Sequence, residues 1–344
     1  MAGRVVLVTG VSRDLGRRAA RRAAEHPAVE RVIGVDVVPP RGDIGGVSFV
    51  RADIRNPVIA KVIAMEGVDT VLHMSVLATP GSLGSRTAMK ELNVIGTMQL
   101  LAAAQKSETV EQVVVKSTTQ IYGASNRDPA MFTEAMEPRR AARSGYGKDV
   151  AEIEGYVRGF ARRRPDVVVT TLRCANVIGP NVRSPITDHL RQPVIPTVLG
   201  YDPRMQFLHE RDLYAALGRV LESRIPGTFN IAGDGILTLS QIARRMQRST
   251  LPLPSIAFGS AGGFLRPSLA EVPPELRDYF IFGRGIDTTR MKTVLGFQPR
   301  YSTADAVDDL ALAIGPGKRR LPGLLDALEG SLDAVSGALE AARG

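Results

Sequence analysis

The sequence is poor in the residues that build disulfide frameworks, metal clusters and aromatic stacking surfaces. Of its 344 residues one is cysteine, four are histidine and none is tryptophan, and aromatic residues make up 5%. The single cysteine, Cys174, excludes an internal disulfide and a cysteine metal cluster, and the scattered histidines have no metal-ligand spacing. We therefore expect no metal site.

Long apolar stretches are also missing. No apolar run approaches the 18 or so residues of a membrane span, and the apolar run in MAGRVVLVTG is too short for a signal peptide. With 44% hydrophobic residues, the chain nevertheless has the material for a buried core. We expect a cytoplasmic protein without a transmembrane segment.

The formal net charge is +9, and most of the basic side chains are arginine. Such an excess is typical of a surface for nucleic acid or acidic lipid, or of solvated helix faces combined with a site for anionic ligands. With few aromatic side chains the chain has little material for stacking nucleic-acid bases. We favour a small anionic ligand and expect no nucleic acid.

Short β-rich apolar runs alternate with helical stretches through the first half of the chain. RVVLVT at 4–9 has the pattern of a buried strand, and a Gly turn and a helical stretch follow it. This alternation predicts an α/β fold with a doubly wound parallel Rossmann sheet, covered on both faces. Further strands are predicted at 31–36, 47–53, 70–75, 112–118 and 167–173, and helices near 56–66, 86–106 and 146–164.

The second half has a different texture, because Pro and Gly become frequent after residue 176. We predict a Rossmann domain over 1–175, to which 205–240 returns. A smaller, interleaved C-terminal substrate lobe is predicted over 176–204 and 241–314, followed by a tail over 315–344.

The tail has the spacing of an amphipathic helix. Its polar face is acidic, which opposes binding to anionic lipid. We therefore favour packing on the protein or on a second subunit over a membrane-surface helix. Its apolar positions are Leu324, Leu325, Leu328, Leu332, Val335 and Leu339.

The stretch VTGVSRDLG has the pattern of a phosphate-binding turn. Gly10 follows the first strand and Gly16 lies in the helix opening, where backbone approaches a pyrophosphate and helix packs on strand. The usual middle glycine is replaced by Arg13. Ser12 and Arg13 still offer hydroxyl, amide and guanidinium donors to a phosphate.

Asp36 ends the second predicted strand, about 20 residues past this turn. A carboxylate there accepts hydrogen bonds from both ribose hydroxyls and repels a 2′-phosphate. The combination predicts NAD as cofactor. NADP is less favoured, although Arg13 and Arg41 are arginines that could hold a 2′-phosphate. The alternative for Asp36 is a turn-forming residue before VVPP.

Several ordered motifs resemble those of the extended, or atypical extended, short-chain dehydrogenase/reductase family, in its branch of NAD-dependent nucleotide-sugar epimerases and dehydratases. The motifs cover about residues 4–314 and include VTGVSRDLG, RADIRNP, TVLHMSVLA, KELNVIGTMQLL, VVVKSTTQIYG, TLRCANVIGP, FLHERDL and GTFNIAG. A single motif of this kind can arise by chance, but the ordered set is specific for the family. It is not specific for a substrate.

The resemblance implies a set of site residues. Thr118 stands at the catalytic Ser/Thr position, Tyr146 at the catalytic Tyr position, and Asn176 near the substrate or nicotinamide. Arg173, Arg183 and Arg204 are candidate phosphate contacts for a nucleotide sugar. The cofactor-binding residues would be Gly10, Ser12, Arg13, Gly16, Asp36, Asp53, Ile54, Met74, Ser75, Val76, Asn93 and Tyr146.

The stretch SGYGKDV departs from the family pattern. A lysine four residues after the tyrosine would lie on the same helix face, stabilise a phenolate and hold the nicotinamide ribose, but Val150 stands there. Lys148 is two residues from Tyr146 and points to another face. Lys116 shares strand parity with Thr118, so we consider it as a substitute charge, against the alternative of an exposed strand end.

Two functions therefore remain open. The first is an NAD-dependent epimerase, dehydratase or dehydrogenase that acts on a secondary hydroxyl, such as that of a UDP-hexose, as a homodimer. The second is a weakened or inactive NAD(P)-binding sensor or scaffold protein. His73 and His209 are expected to be structural. Retention of Tyr146, Thr118 and Asn176 favours chemistry, or at least substrate binding.

Overall fold

The computed structural model describes residues 3–76, 85–137, 145–255, 258 and 274–315. Its strands are β1 Arg4–Thr9, β2 Val29–Asp36, β3 Val47–Arg51, β4 Thr70–His73, β5 Gln112–Thr118, β6 Val168–Cys174, β7 Asn176–Ile178, β8 Val194–Val198, β9 Arg204–Met205, β10 Phe207–His209, β11 Gly227–Ile231, β12 Leu237–Thr238, β13 Ser249–Leu253 and β14 Gly283–Arg284. Its helices are α1 Asp14–Ala24, α2 Val58–Met65, α3 Arg86–Lys90, α4 Gly96–Lys106, α5 Gly145–Arg163, α6 Pro185–Leu190, α7 Glu210–Ser223, α8 Leu239–Arg245, α9 Pro274–Phe282, α10 Thr289–Thr293 and α11 Thr303–Ile314.

Seven parallel strands form the central sheet, in the order β11-β6-β5-β4-β1-β2-β3. The strand order reverses between β1 and β4. In doubly wound sheets, such a switch point creates a crevice outside the carboxyl ends of the strands. The α/β class with a doubly wound parallel Rossmann sheet is confirmed.

Each strand contributes side chains to both faces of this sheet because successive side chains alternate. In β1, Val6 and Val8 pack with α1 and α7 in one buried cluster. Leu7 packs on the opposite face with α2, α4 and α5. Near-continuous burial of such apolar runs is typical of a parallel sheet with helices on both faces.

A third buried cluster lies outside the central sheet. It joins residues from Ile178 to Leu310, including Leu190, Phe207 and Phe280, and draws on α6, α8, α9 and α11. Between these residues in sequence, β11 returns to the edge of the central sheet beside β6. The predicted tail helix lies outside the described residues, except for Gly315.

The stretch predicted as one helix near 86–106 consists of three parts. Between α3 and α4 lies a five-residue π-helical segment, Glu91–Ile95. Asn93 is fully buried in this segment, and π-helical insertions occur frequently at functional sites. A local change in helix winding leaves no mark on apolar periodicity, so the pattern could not predict it.

Within the described ranges, no helix is both long and apolar enough to cross a membrane. The same part of the chain contains no group of three or more His, Cys, Asp or Glu side chains that could hold a metal ion.

Candidate active site

The turn between β1 and α1 requires glycine at two positions. Gly10 has φ +80°, and a Cβ built on it would lie 2.9 Å from Ser75 Oγ. A Cβ on Gly16 would lie 2.1 Å from the carbonyl oxygen of Gly10. Because these two residues have no side chain, α1 can begin directly above the end of β1. The free N–H groups at the start of a helix attract a phosphate.

Asp36, at the end of β2, closes one side of this turn. Its Oδ2 accepts hydrogen bonds from the backbone N–H and the hydroxyl of Ser12, at 2.9 and 2.7 Å. Its Oδ1 accepts from the backbone N–H of Val37 at 2.8 Å. These bonds hold the carboxylate rigidly, while its remaining lone pairs stay free for hydroxyl donors.

A cavity of about 410 Å³ opens beside Asp36. Ala52 and Ile54 supply apolar surface, and Arg41 lies at the same cavity. Arg13 also borders the cavity. Burial lowers the pKa of Arg13, and the Asp36 carboxylate partly offsets this effect. The cavity therefore combines an apolar wall with a fixed carboxylate, and we call it the nucleotide side.

Asp53 lies between two residues of that wall, but its carboxylate faces Arg55. It accepts hydrogen bonds from the Arg55 backbone and guanidinium, with a shortest distance of 2.7 Å. These bonds lower the pKa of Asp53. Its own backbone and the adjacent Ile54 are therefore better placed to meet an adenine than its carboxylate.

A second cavity, of about 510 Å³, lies at the carboxyl ends of β4, β5 and β6. We call it the hydroxyl side. It brings together Met74, Val76, Lys116, Thr118, Tyr146 and Asn176. Residues from the region of the third buried cluster, including Arg183 and Ile186, line the opposite wall.

Tyr146 lies in the first turn of α5 and is only 2% exposed, although it borders the cavity. Burial raises the pKa of its hydroxyl, and the nearby Asp149 and Cys174 raise it further. Val150 is completely buried in the same apolar cluster as Tyr146. The surroundings of Tyr146 therefore favour a neutral phenol.

Asp149 brings a negative charge close to Tyr146. Its side chain is 1% exposed and forms an ion pair with Arg86 at 2.8 Å. The ion pair balances the charge of Asp149, and it holds the Arg86 guanidinium on that carboxylate. Arg86 therefore does not supply the positive charge that a lysine would place beside a phenolate at Tyr146.

The two lysines near this site differ in surroundings. Lys148 is exposed to solvent on α5. Lys116 is half-buried and borders the hydroxyl side. Burial raises the pKa of Cys174 to about 11, although the charge of Lys116 acts in the opposite direction.

Thr118 and Asn176 both border the hydroxyl side. Thr118 Oγ1 accepts a long hydrogen bond, 3.3 Å, from the backbone N–H of Gln120. Burial raises the pKa of Tyr279, and a side-chain hydrogen bond with Asn176 acts in the opposite direction. Both can still donate to, or accept from, a ligand.

A buried ionic network beneath this cavity was not predicted. Arg173 pairs with Glu154 at 2.7 Å and also donates to the Tyr122 hydroxyl at 2.9 Å. Ser117 donates to Glu154 at 2.6 Å. Arg173 is thus occupied in the interior and does not face a phosphate. A pairing between three distant segments leaves no local sequence signal.

The other two candidate phosphate contacts lie at the surface. Arg183 borders the hydroxyl side and lies 3.5 Å from Asp188, with 72% of its side chain exposed. Arg204 donates to the carbonyl of Ala130 at 3.2 Å. Arg183 is therefore the candidate with free access to the cavity.

The two histidines singled out in the sequence have structural contacts. His73 lies 2.8 Å from both Thr9 Oγ1 and Thr97 Oγ1, and burial lowers its pKa to about 4. His209 caps α7, lies 2.9 Å from Asp309 and stacks on Tyr301. Neither borders the two cavities described above.

Comparison with known proteins agrees with this geometry. The profile of the NAD dependent epimerase/dehydratase family matches residues 6–232. An uncharacterized protein of Mycobacterium tuberculosis is 47% identical over 311 residues, 89% of this chain and 83% of its own. The dTDP-glucose 4,6-dehydratase of Streptomyces niveus is 28% identical over 279 residues, 78% of this chain and 76% of its own.

Solved structures share the fold at low sequence identity. The UDP-glucuronic acid 4-epimerase of Bacillus cereus, in complex with UDP-glucuronic acid and NAD, has a TM-score of 0.70 at 19% identity, over 90% of this chain and 98% of that chain. The UDP-glucose 4-epimerase of Thermotoga maritima has a TM-score of 0.68 at 20% identity, with the same coverage. The motifs, the sheet and the family match lead to one conclusion, that this chain belongs to the NAD-dependent epimerase/dehydratase family.

Proposed function

We propose that the protein binds NAD and interconverts a secondary hydroxyl and a ketone on a nucleotide sugar, as an epimerase or dehydratase. The observation that carries the proposal is that Arg13 borders both cavities, so that the nucleotide side and the hydroxyl side adjoin along the carboxyl edge of the sheet. A cofactor that extends from Asp36 to Thr118 fits such a cleft.

The residues on the nucleotide side fit a nicotinamide dinucleotide. Gly10, Ser12, Arg13 and Gly16 would hold the pyrophosphate, since a Cβ on either glycine would fill the cradle. Asp36 would accept the ribose hydroxyls and repel a 2′-phosphate, which favours NAD over NADP. When bound, the cofactor would supply the redox chemistry by accepting and returning a hydride.

The rest of the proposed cofactor site follows the strand ends and the helix beyond them. Ile54 and the backbone of Asp53 would contact the adenine, while Met74, Ser75 and Val76 would border the cofactor after β4. Asn93 would support this wall from the π-helical segment. All of these side chains except Asp53 are at least nine-tenths buried, which gives the wall a fixed shape.

On the hydroxyl side, Thr118 and Tyr146 would hold the reacting hydroxyl, and Asn176 would contact the sugar or the nicotinamide. Arg183 would meet a phosphate of the nucleotide sugar, because it is a cation with free access to this cavity. We propose that Val150 occupies the position at which relatives carry a lysine. The valine side chain has no hydrogen-bond donor, so it cannot anchor a ribose as a lysine would.

A second candidate function is that of an NAD-binding sensor or scaffold without turnover. The observation in its favour is the environment of Tyr146, where burial, Asp149 and Cys174 all disfavour the phenolate. The nucleotide side is unaffected by this difference. The two functions therefore share cofactor binding and differ in turnover.

The test has two stages. Thermal stability is followed while purified protein is titrated with NAD⁺ and NADP⁺, and we expect the larger shift with NAD⁺. No shift with either would contradict both functions. UDP-hexoses and UDP-uronic acids are then screened for epimerisation or cofactor reduction. Turnover supports the enzyme, and cofactor binding without any turnover supports the sensor.

We also expect a homodimer in the cytoplasm. Light scattering on the full chain measures the oligomeric state directly, and a monomer at micromolar concentration would contradict the dimer. The contribution of the tail is measured by truncation after Gly315.

A further inference from the structure

A continuous chain of buried hydrogen bonds runs behind the cleft, from the end of β4 to the π-helical segment. In its middle, Thr9 Oγ1 lies 2.8 Å from His73 Nδ1, and His73 Nε2 lies 2.8 Å from Thr97 Oγ1. At one end the backbone N–H of Met74 donates to Thr9 Oγ1 at 3.2 Å. At the other end the Thr97 hydroxyl donates to the carbonyl of Asn93 at 2.5 Å. We call these residues the histidine chain.

The available hydrogens assign one direction to the histidine chain. A threonine hydroxyl has a single hydrogen, and that of Thr97 goes to the Asn93 carbonyl, which can only accept. His73 therefore donates from Nε2, and its Nδ1 accepts the hydroxyl hydrogen of Thr9. Each of these four residues is at most 1% exposed. A broken bond would therefore leave a buried polar group without a partner, which is costly.

Thr97 bonds to the helix at the point where its winding changes. Asn93 lies within the π-helical segment, whereas Thr97 lies in α4, which follows directly. A threonine hydroxyl that bonds to the carbonyl four residues earlier often bends a helix. Because His73 holds this hydroxyl from the end of β4, the placement of the π-helical segment depends on that strand.

The ends of the histidine chain reach both sides of the cleft. Met74 borders the hydroxyl side, and Leu92, next to Asn93 in the π-helical segment, borders the nucleotide side. Gly10, which follows Thr9, also borders the nucleotide side. The imidazole therefore ties together the backbone of the phosphate turn, the end of β4 and the π-helical segment.

We propose that His73 and Thr97 are positioning residues of the cofactor site, which hold the π-helical segment against the ends of β1 and β4 in the arrangement that binds NAD⁺. Neither side chain borders the nucleotide side or the hydroxyl side, so both act through the backbone that they hold. A site that is in place before its ligand arrives binds more tightly than one that must be ordered on binding. This inference rests on the proposed function.

The decisive comparison uses Thr97→Val, which removes the hydroxyl, and Thr97→Ser, which keeps it. The matched control is Thr170→Val, because Thr170 is completely buried in β6, donates to the carbonyl of Ile225 at 2.8 Å and borders neither side of the cleft. We expect Thr97→Val to weaken NAD⁺ binding about tenfold in calorimetry at pH 7, and Thr97→Ser to restore the wild-type affinity. The control should lose stability in urea but keep its affinity for NAD⁺.

A double variant tests whether the two ends act through one imidazole. Thr9→Val interrupts the histidine chain at its other end and should weaken NAD⁺ binding by a similar factor. Combined with Thr97→Val, the loss should be smaller than the product of the two single losses, because each change already interrupts the same chain. A loss equal to the full product would contradict the connection through His73.

The remaining outcomes separate the inference from the proposed function. An unchanged affinity for NAD⁺ in folded Thr97→Val, or an equal loss of affinity in Thr170→Val, would overturn the inference and leave the proposed function intact. If Thr97→Val does not fold, His73→Gln replaces it in the comparison, since a flexible amide does not hold two threonines as a rigid ring does. A wild-type protein that binds neither NAD⁺ nor NADP⁺ would contradict the proposed function, and the inference with it.

Discussion

The two sides of the cleft differ in how far they follow the chemistry of the family. On the nucleotide side, Gly10 and Gly16 lie in a turn whose close contacts leave no room for a larger side chain. Asp36 accepts a hydrogen bond from the same turn at Ser12. On the hydroxyl side, Tyr146 borders the cavity, but Val150 and Asp149 surround it with apolar and acidic groups. Cofactor binding and hydroxyl activation therefore depend on separate sets of contacts and need not change together.

The largest effect is expected at the network beneath the hydroxyl side. Arg173→Met leaves Glu154 charged and buried, since its side chain is 3% exposed. Breaking a buried ion pair from one side typically costs about 3–5 kcal/mol. We expect a loss of that size in the free energy of unfolding, measured with urea at pH 7.

The matched control is the double variant Arg173→Met with Glu154→Met. Replacing both partners by apolar side chains leaves no unpaired charge, so at least half of the lost stability should return. A single variant that loses less than about 1 kcal/mol would show that the network does not support this side of the cleft.

The next effect concerns His73, which joins β1 and α4 through Thr9 and Thr97. Its pKa is lowered from 6.5 to about 4 by burial, so the unfolded chain binds a proton here that the folded protein does not. Stability is therefore complete above pH 6.5 and falls as the pH drops toward 4. This group contributes at most about 3 kcal/mol to that decrease.

The contribution of His73 is isolated by His73→Gln, which removes the titration. The difference in unfolding free energy between wild type and variant should become smaller by up to about 3 kcal/mol between pH 7 and pH 4. His189, whose pKa is also lowered to about 4, remains in both proteins and cancels. Parallel pH profiles would show that His73 is not buried in neutral form.

A smaller effect is expected when a lysine is introduced at position 150. Val150→Lys places an amine in a fully buried apolar site, which should cost at least about 2 kcal/mol of stability. Val150→Met controls for volume. We expect no rise in turnover, because a fully buried amine is held in its neutral form. A rise of about tenfold or more would show that Tyr146 lacked only a neighbouring positive charge.

The smallest effect is expected on the nucleotide side. Asp36→Asn keeps the shape but removes the charge that accepts from ribose hydroxyls. We expect about tenfold weaker NAD⁺ binding, which corresponds to about 1.4 kcal/mol, with little change for NADP⁺. Asp43→Asn, an exposed carboxylate, serves as the control. An unchanged preference for NAD⁺ would show that Asp36 only shapes the turn.

The sequence was most informative where function depends on local pattern. Alternating apolar runs predicted β1 and β5 with their observed bounds, and the glycine spacing placed the turn at the end of β1. Asp36 was expected at a strand end, and it is there. These features follow from short-range rules, since one strand, one turn and one helix determine them.

The rest depends on contacts between distant segments. Arg173 resembled a phosphate ligand, but Glu154 and Tyr122 occupy it from 19 and 51 residues away. The sequence also could not decide which lysine borders the cavity, since that depends on how β5 lies against β6 and α5. Strand parity indicated Lys116, whereas only the folded chain brings it to the same cavity as Tyr146.

The most direct test is a crystal structure of the protein with NAD⁺ and a bound UDP-sugar. We expect the adenosine ribose at Asp36 and the reacting hydroxyl within hydrogen-bond distance, about 3 Å, of Thr118 Oγ1 and Tyr146 Oη. A dinucleotide bound away from Asp36, or a sugar hydroxyl out of reach of both Thr118 and Tyr146, would contradict the proposed function.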